Sequence, residues 1–334
     1  MSTRPNQSKE ESGAEISVKG KWVRVPAMDI NGKTIIVRGR WLKIACILDE
    51  DWLETGLEDP QLCVQKLKEQ RSNGMRADIF SFTQKLPATV PLYEYPSEWD
   101  SIAAIRITGF KEWWEKLPQE TRKNVRRSQK RGIVVAVKEL NDELINNIVA
   151  LNNESPVRQG RPFAHYSKTF EQVKRDYSSF QDRSDCICAS VGNELVGLLK
   201  IVYRGDVASI LQLFAKASHY DRRPTNALLA KAVQLCEAKG IGYLTYGMFN
   251  YGNRTNSPLR EFKIRNGFTE VLVPRYIIPL TEWGTLCLKI RLHRGPIGIL
   301  PPRIIAAVVS ARSKWYHLRQ SMSRCSSMAE RPRL

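Results

Sequence analysis

Four groups of residues have types and spacing that suit chemistry. The first is the segment from Asn153 to Ser167, which gathers Glu154, Arg158, Gln159, Arg161, His165 and Tyr166 around Pro156, Gly160 and Pro162. A carboxylate or imidazole can take a proton from an attacking amine if it lies within hydrogen-bond reach and titrates near the working pH. Glu154 and His165 are the candidates for that role, and Arg158, Gln159 and Arg161 for holding a substrate. An ordinary polar surface loop explains the same composition equally well. The second group is Tyr251 and Lys263. The run MFNYGNRTNS around Tyr251 is rich in residues that permit tight turns. From there Tyr251 can protonate a leaving group, and a cationic Lys263 can stabilise charge developing on a carbonyl oxygen or hold a phosphate. A solvated lysine on an amphipathic helix is the competing reading of Lys263.

The third group is basic. Arg122, Arg126 and Lys130 form one row at a spacing of four, and Lys123, Arg127 and Arg131 form the next. Like charges at that spacing share a helix face and repel one another, so something must offset the cost. Favourable charge near the helix C-terminus is one answer, and substrate phosphates or an RNA backbone on Arg122, Arg126 and Arg127 is the other. The fourth group, Arg222, Arg223, Thr225, Asn226 and Ala227, surrounds Pro224 at a predicted helix start. Backbone N–H groups and the positive helix end favour an anion there, and the two guanidinium groups can hold a phosphate bidentately. His219 and Asp221 beside them read as turn residues.

The elements that must position these groups follow from hydrophobic period and punctuation. Residues 1–19 are polar and aperiodic and are expected to be unfolded. Strands are predicted over Trp22–Val25, Thr34–Arg38 and Trp41–Leu48, with Asn31-Gly32 as a hairpin turn. A helix over Pro60–Gln70 and strands over Asp78–Phe82 and Ile102–Ile107 complete a β-rich N-terminal α/β unit, 20–115. Pro118 then opens a helix that Gly132 closes, followed by a strand, Ile133–Val137, a helix, Asp142–Leu151, and a second helix to Tyr177. Cys186–Val191, Glu194–Tyr203 and Val207–Phe214 read as antiparallel strands joined by Gly192-Asn193 and Arg204-Gly205-Asp206. Thr225–Lys239 is a crossover helix into the strand Ile241–Tyr246, a right-handed β-α-β unit whose helix start faces the ligand-binding edge of the sheet. Ser257 and Pro258 begin one more helix, which Gly267 ends before a strand from Phe268.

Composition bounds the answer. The 334 residues are 42% apolar, enough for a substantial core, and carry a formal charge of +18. Residues 116–132 are net +6 and 284–334 net +9, so two basic surfaces hold most of it. Each suits phosphate, nucleic acid or an anionic membrane face. The seven cysteines are scattered through apolar segments, only Cys186 and Cys188 lying close together, on one face of a strand; they are expected to be buried thiols, and the four scattered histidines make no zinc motif. The polar N-terminus lacks a secretory pattern and no apolar run approaches a membrane span, so a cytoplasmic protein is expected. From Pro302 onward, Ile304, Ile305, Val308, Val309, Trp315 and Tyr316 can line one side of a helix. That helix either docks on the body or places the protein peripherally on the inner membrane face.

The element order β-α-α-β-β-β-α-β-α-β over residues 133–280 resembles the GNAT acyltransferase fold. The strings Asn226-Ala-Leu-Leu, Lys239-Gly240, Tyr246-Gly247 and Ser257-Pro-Leu-Arg-Glu-Phe-Lys263 are similar to the GNAT-like domain of FemAB-type aminoacyl transferases. So is the basic helix carrying Arg122-Lys-Asn124-Val-Arg-Arg127. The resemblance implies an α/β mixed sheet with a GNAT-like domain at 116–283, a short N-terminal unit as a partial second half, and a basic C-terminal segment. It also implies that the Asn153–Ser167 connection lines the acceptor side, and that the donor's pyrophosphate rests on a loop of pattern Arg/Gln-x-x-Gly-x-Gly/Ala. Arg222-Arg-Pro-Thr225-Asn-Ala227 aligns with that loop, but Thr225 replaces its first glycine and Pro224 removes one N–H donor. The implied activity is N-acyl or aminoacyl transfer from acyl-CoA or aminoacyl-tRNA, as co-substrate rather than bound cofactor, to an amine of a sugar, peptide or envelope precursor. No metal is expected. The competing reading is a non-catalytic GNAT-like protein that binds RNA or an anionic membrane surface.

Overall fold

The computed structural model describes residues 13–18, 21–158, 161–250 and 257–295. In chain order the elements are β1 (Gly13–Val18), β2 (Lys21–Ile30), β3 (Lys33–Arg38), β4 (Ile44–Ile47), α1 (Pro60–Glu69), β5 (Ile79–Thr83), β6 (Ser97–Arg106), α2 (Phe110–Lys116), α3 (Gln119–Lys130), β7 (Val134–Lys138), α4 (Asp142–Asn152), β8 (Val157–Arg158) and β9 (Arg161–Pro162). They continue with α5 (Phe170–Ser178), β10 (Ser184–Val191), β11 (Glu194–Arg204), β12 (Val207–Ala215), α6 (Pro224–Ala238), β13 (Tyr243–Met248), α7 (Pro258–Arg265), β14 (Thr269–Pro279) and α8 (Glu282–Lys289). Most expected elements are found within a few residues. Five were not expected: β1, inside the stretch read as unfolded, α2, the two-residue strands β8 and β9, and α8.

The chain divides into two compact units whose boundaries fall inside β6 and β14, one ending at Asp100 and resuming at Leu272, the other running Ser101–Val271. This differs from the expected division at 115 and 283. The first unit is discontinuous because β14 pairs antiparallel with β5 and so returns the chain to it. Residues 284–295 therefore complete that unit rather than beginning a separate basic segment. The proposed helix beyond Pro302 lies outside the described residues.

In the first unit the strands run β1-β2-β3-β4-β5-β14. Asn31 and Gly32, both at positive φ (48° and 73°), make the tight turn between β2 and β3. Ile35, Val37, Phe80, Phe82 and Tyr276 point to one face and close over Cys63 and Leu67 of α1. Phe82 and Tyr276 stack at 4.9 Å. A partly buried ionic group completes the unit. Arg275 donates from Nε to Asp100 at 2.7 Å and lies 3.7 Å from Glu50, whose other carboxylate oxygen accepts from the Thr83 N–H at 2.6 Å. Burial raises the Glu50 pKa, against the opposing Arg275 charge.

In the second unit the order is β6-β13-β12-β11-β10-β7, antiparallel except for the parallel β12–β13 pair. Alternation sends Ile187, Val196, Leu199 and Ile201 to one face, where Leu228, Leu229 and Val233 of α6 join Trp113 of α2 and Val125 of α3. Cys186, Cys188 and Leu198 point to the other, under Ile145 and Ile148 of α4 and Val173 and Tyr177 of α5. Gly197 lets α6 approach: a Cβ there would lie 3.1 Å from the Leu228 side chain. The described cysteines are buried free thiols, as their apolar surroundings suggest. Buried Lys200 donates to the carbonyls of Tyr177 and Ser179, satisfying the C-terminal end of α5.

Candidate active site

The crossover unit places an open fork in the sheet. β12 and β13 pair over only three positions, Val207–Ser209 with Tyr243–Thr245, although β12 continues to Ala215 and β13 to Met248. Gly242 fixes the closed end, its N–H donating to Asp206 at 2.6 Å. The last joined pair is bonded through side chains, Ser209 Oγ to Thr245 Oγ1 at 2.7 Å. Beyond it the β12–β11 register shifts, Ile210 facing Ile201 and Gln212 facing Lys200, so Leu211 is a bulge. The strands' carboxyl ends thus part where an open α/β sheet places its ligands.

Lys263 stands at that open end. Ser257 caps α7, accepting from the Arg260 N–H at 3.1 Å, and Pro258 takes the first turn. The helix delivers Lys263 fully buried, with Nζ donating to the Met248 carbonyl at 2.6 Å and lying 4.8 Å from the Tyr246 ring centroid. The solvated-lysine reading is therefore corrected. Burial brings the Lys263 pKa down to about 8, close to neutrality.

The loop before α6 is clasped to α3. Arg131 donates to both the carbonyl and the carboxylate of Asp221 at 2.8 Å, and Arg222 donates to the Arg131 carbonyl at 2.7 Å. Part of the Arg222 guanidinium thus serves the C-terminal end of α3, and Asp221 is an anchor. Arg223 is exposed, in the left-handed region at φ 58°, immediately before Pro224 at the α6 start. Thr225 and Asn226 are half-buried in the first turn, Asn226 Nδ2 donating to Asn266 Oδ1 at 2.9 Å, and Ala227 packs inward. The structure brings Arg222 and Arg223 to one helix N-terminus, with Arg131 of α3 beside them.

The other basic row faces elsewhere. Arg126 lies over the Trp114 ring at 5.6 Å and lines a groove of about 410 Å³ with Phe110, Gln129, Ala230 and Lys231. Arg122, one turn earlier, is half-buried. Ala227 of the first turn of α6 lines the same groove, whereas Arg131 is clasped to the loop before α6.

The Asn153–Ser167 segment has a structural use the sequence did not show. Glu154 accepts from the Ala217 N–H (2.8 Å), the Ser218 N–H (3.0 Å) and the Ser218 hydroxyl (2.8 Å), capping the 3-10 turn Ala217–Arg222. Partial burial opposes its ionisation, but these hydrogen bonds and the Arg158 charge outweigh that and hold its pKa low. An anchored, acidic carboxylate is a poor general base, which corrects the expectation for Glu154. Arg158 donates to the carbonyls of Ala215 (3.1 Å) and Leu151 (3.0 Å) and covers the Phe163 ring at 4.2 Å. It ties α4 to the end of β12 and is committed to the protein rather than to a substrate. His165 stacks on Phe214 at 6.3 Å, and burial, then the Lys168 charge, lowers its pKa. A neutral imidazole there remains compatible with accepting a proton. Gln159, Tyr251 and the Arg161 side chain lie outside the described residues.

Gln212 and Tyr246 escaped the sequence reading. Gln212 Oε1 is buried, with no hydrogen-bond partner among the described residues, just past the β12 bulge. Its signal was legible: it is the one amide in the otherwise apolar run VASILQLFA.

No family model and no curated protein matches this sequence. Solved structures do match. The C-terminal domain of a protein assigned as a lysylphosphatidylglycerol synthetase from Agrobacterium fabrum superposes with a TM-score of 0.54 at 15% identity, covering 82% of this chain and 90% of that one. L-PGS from Bacillus licheniformis gives 0.51 at 14%, covering 80% and 86%. FemX gives 0.50 at 10%, covering 74% and 86%. These likenesses show that the chain shares the mixed α/β fold of these proteins, with its parallel fork, bulged strand and crossover helix.

Proposed function

We propose that the protein transfers an acyl or aminoacyl group from a phosphate-bearing activated donor to an amine by direct attack. The observation that carries this reading is the buried Lys263 amine at the open end of the β12–β13 fork, with its pKa brought to about 8. The likeness to FemX and to lysylphosphatidylglycerol synthetase supports the class of reaction. Acyl-CoA and aminoacyl-tRNA both meet the donor chemistry, and the acceptor is an amine of a sugar, peptide or envelope precursor.

In this mechanism the donor phosphate sits at the α6 N-terminus, drawn by Arg223, by the free share of the Arg222 guanidinium and by the helix dipole, with Arg127 of α3 adding charge. Pro224 lacks an N–H, so the guanidinium groups carry more of the contact than backbone amides do. The donor's carbonyl then lies in the fork. The acceptor nitrogen attacks that carbon, a C–N bond forms, the bond to the donor's sulfur or oxygen breaks, and the amine loses a proton. Lys263 is the catalytic cation: an ammonium has three donors, and one directed at the oxyanion stabilises the transition state more than the ground state. Tyr251 is the candidate proton donor to the leaving group and His165 the candidate acceptor of the amine proton. A thermal-shift comparison of acyl-CoA and aminoacyl-tRNA with the wild-type chain and Arg223→Ala tests the donor site. Stabilisation of the wild type by one donor, lost in Arg223→Ala, supports it, and no shift with either donor removes the α6 N-terminus from the mechanism.

A further inference from the structure

The first unit carries a second surface that the transferase reading does not use. Arg40, Lys43, Arg71 and Arg76 surround an open groove of about 720 Å³ whose walls include Trp41 and Trp283. None of the four cations is ion-paired among the described residues. The acidic groups at the groove are Asp78 and Glu282. Asp78 is already engaged, accepting from the Lys43 N–H at 3.0 Å and the Thr281 hydroxyl at 3.1 Å. The net field in the groove is positive.

An apolar face adjoins this ring of charge. Trp41 is 84% exposed, and its backbone carbonyl accepts from Trp283 Nε1 at 3.2 Å, which ties the Trp283 indole to the backbone at Trp41. Trp283 begins a stripe on α8 with Leu286 and Ile290, at spacings of three and four, each of them exposed by 44% or more. Cys287 and Gly284 on the buried side fix α8 to the unit, so the stripe's exposure is built into the packing. Two tryptophans on one groove and a short apolar helix face, edged by Lys and Arg, suit the headgroup region of a bilayer, where indoles partition and cations meet lipid phosphates. A small phosphorylated ligand in the groove would leave Leu286 and Ile290 in water. The 39 residues after Gly295 continue from this element with seven Lys or Arg and one acid, Glu330, which adds positive charge to the same end of the chain.

We propose that this face docks on an anionic lipid surface, with Trp41 and the Trp283–Leu286–Ile290 stripe entering the interface and Arg40, Lys43, Arg71 and Arg76 contacting headgroup phosphates. The proposal stands without the transferase reading, since no residue is shared. It is tested by floating the full chain on vesicles of phosphatidylcholine alone and of phosphatidylcholine with phosphatidylglycerol. The expected result is binding to the anionic vesicles only, weakened by salt. Arg71→Gln/Arg76→Gln is expected to lower the partition coefficient about 30-fold, about fivefold per cation, and Trp41→Ser to lower it independently of salt. All three side chains are exposed, and unchanged circular dichroism will show that the variants fold. Wild-type partitioning of both variants overturns the proposal. So does a loss confined to an Arg312→Gln/Lys314→Gln control, which assigns binding to the later segment. Displacement by millimolar inorganic phosphate at constant ionic strength would overturn it in favour of a small-anion site. Self-association without vesicles that Trp41→Ser abolishes would assign the face to a second copy.

Discussion

Replacing Lys263 by methionine should make the protein more stable and less active. The side chain is fully buried, and its pKa falls from 10.5 to about 8 because burial disfavours the charged form. At about 1.36 kcal/mol per pKa unit, the folded state at pH 7 bears a cost of about 3 kcal/mol for keeping that ammonium out of water. Lys263→Met keeps the apolar stem and removes the charge. It also leaves the Met248 carbonyl without this donor, at about 1 kcal/mol, so the net gain is about 2 kcal/mol at pH 7. The pH dependence separates this from a simple packing effect. Between about 8 and 10.5 the unfolded chain holds a proton that the folded chain has released, so wild-type stability contributed by this group rises with pH across that window and is flat below it. By pH 9.5 the wild type recovers about 2 kcal/mol relative to the variant. Urea denaturation of both proteins at pH 7 and pH 9.5, followed by circular dichroism, reads the difference directly. A variant less stable than wild type at pH 7, with an unchanged gap at pH 9.5, would refute the assignment of a strained buried amine.

Other perturbations follow from the same packing. Arg275→Met strands Glu50 and Asp100 in the first unit without their shared counter-charge, and chemical denaturation should show a loss of about 3 kcal/mol or more. Glu154→Gln keeps the shape of the cap but not its charge, and should lower the melting temperature at pH 7 while leaving turnover within a few fold. Because the Glu154 pKa is depressed, its contribution is present above the ordinary carboxylate range and disappears as pH falls through the folded value, so the two melting temperatures should converge in acid. Gly197→Val puts branched carbon against Leu228 and Ala215 and should cost 1–3 kcal/mol by pushing α6 off the sheet, about the cost of overpacking a core, measurable by urea denaturation.

The features legible in the sequence were those written locally. The crossover helix α6 was readable because apolar residues recur at its period between Pro224 and Gly240, and the hairpins because Asn31-Gly32 and Gly192-Asn193 specify tight turns. The helix α2 was not, since Gly109 supplies no side-chain cap and its Trp113 and Trp114 fit strand or helix alike. Contacts between distant residues were invisible. The unit boundary moved because β14 pairs with β5 almost two hundred residues earlier. Glu154 looked like a proton acceptor until the N–H groups of Ala217 and Ser218 were seen to fill it. Lys263 looked half solvated because Phe262 beside it was expected to pack inward, whereas the helix buries Lys263 against β13. That α6 starts beside the Arg222–Arg223 pair was readable from Pro224, but that Arg222 serves the Arg131 carbonyl depends on how α3 packs.

The most direct test of the account is the initial rate of acyl transfer to an amine, measured by mass spectrometry for the wild type and Lys263→Met over a range of donor concentrations. If Lys263 acts on the developing oxyanion in the fork, kcat falls about 100-fold while KM stays within a few fold. A variant that turns over at the wild-type rate, or one altered in KM alone, would contradict the claim that the buried amine at the end of β13 is catalytic.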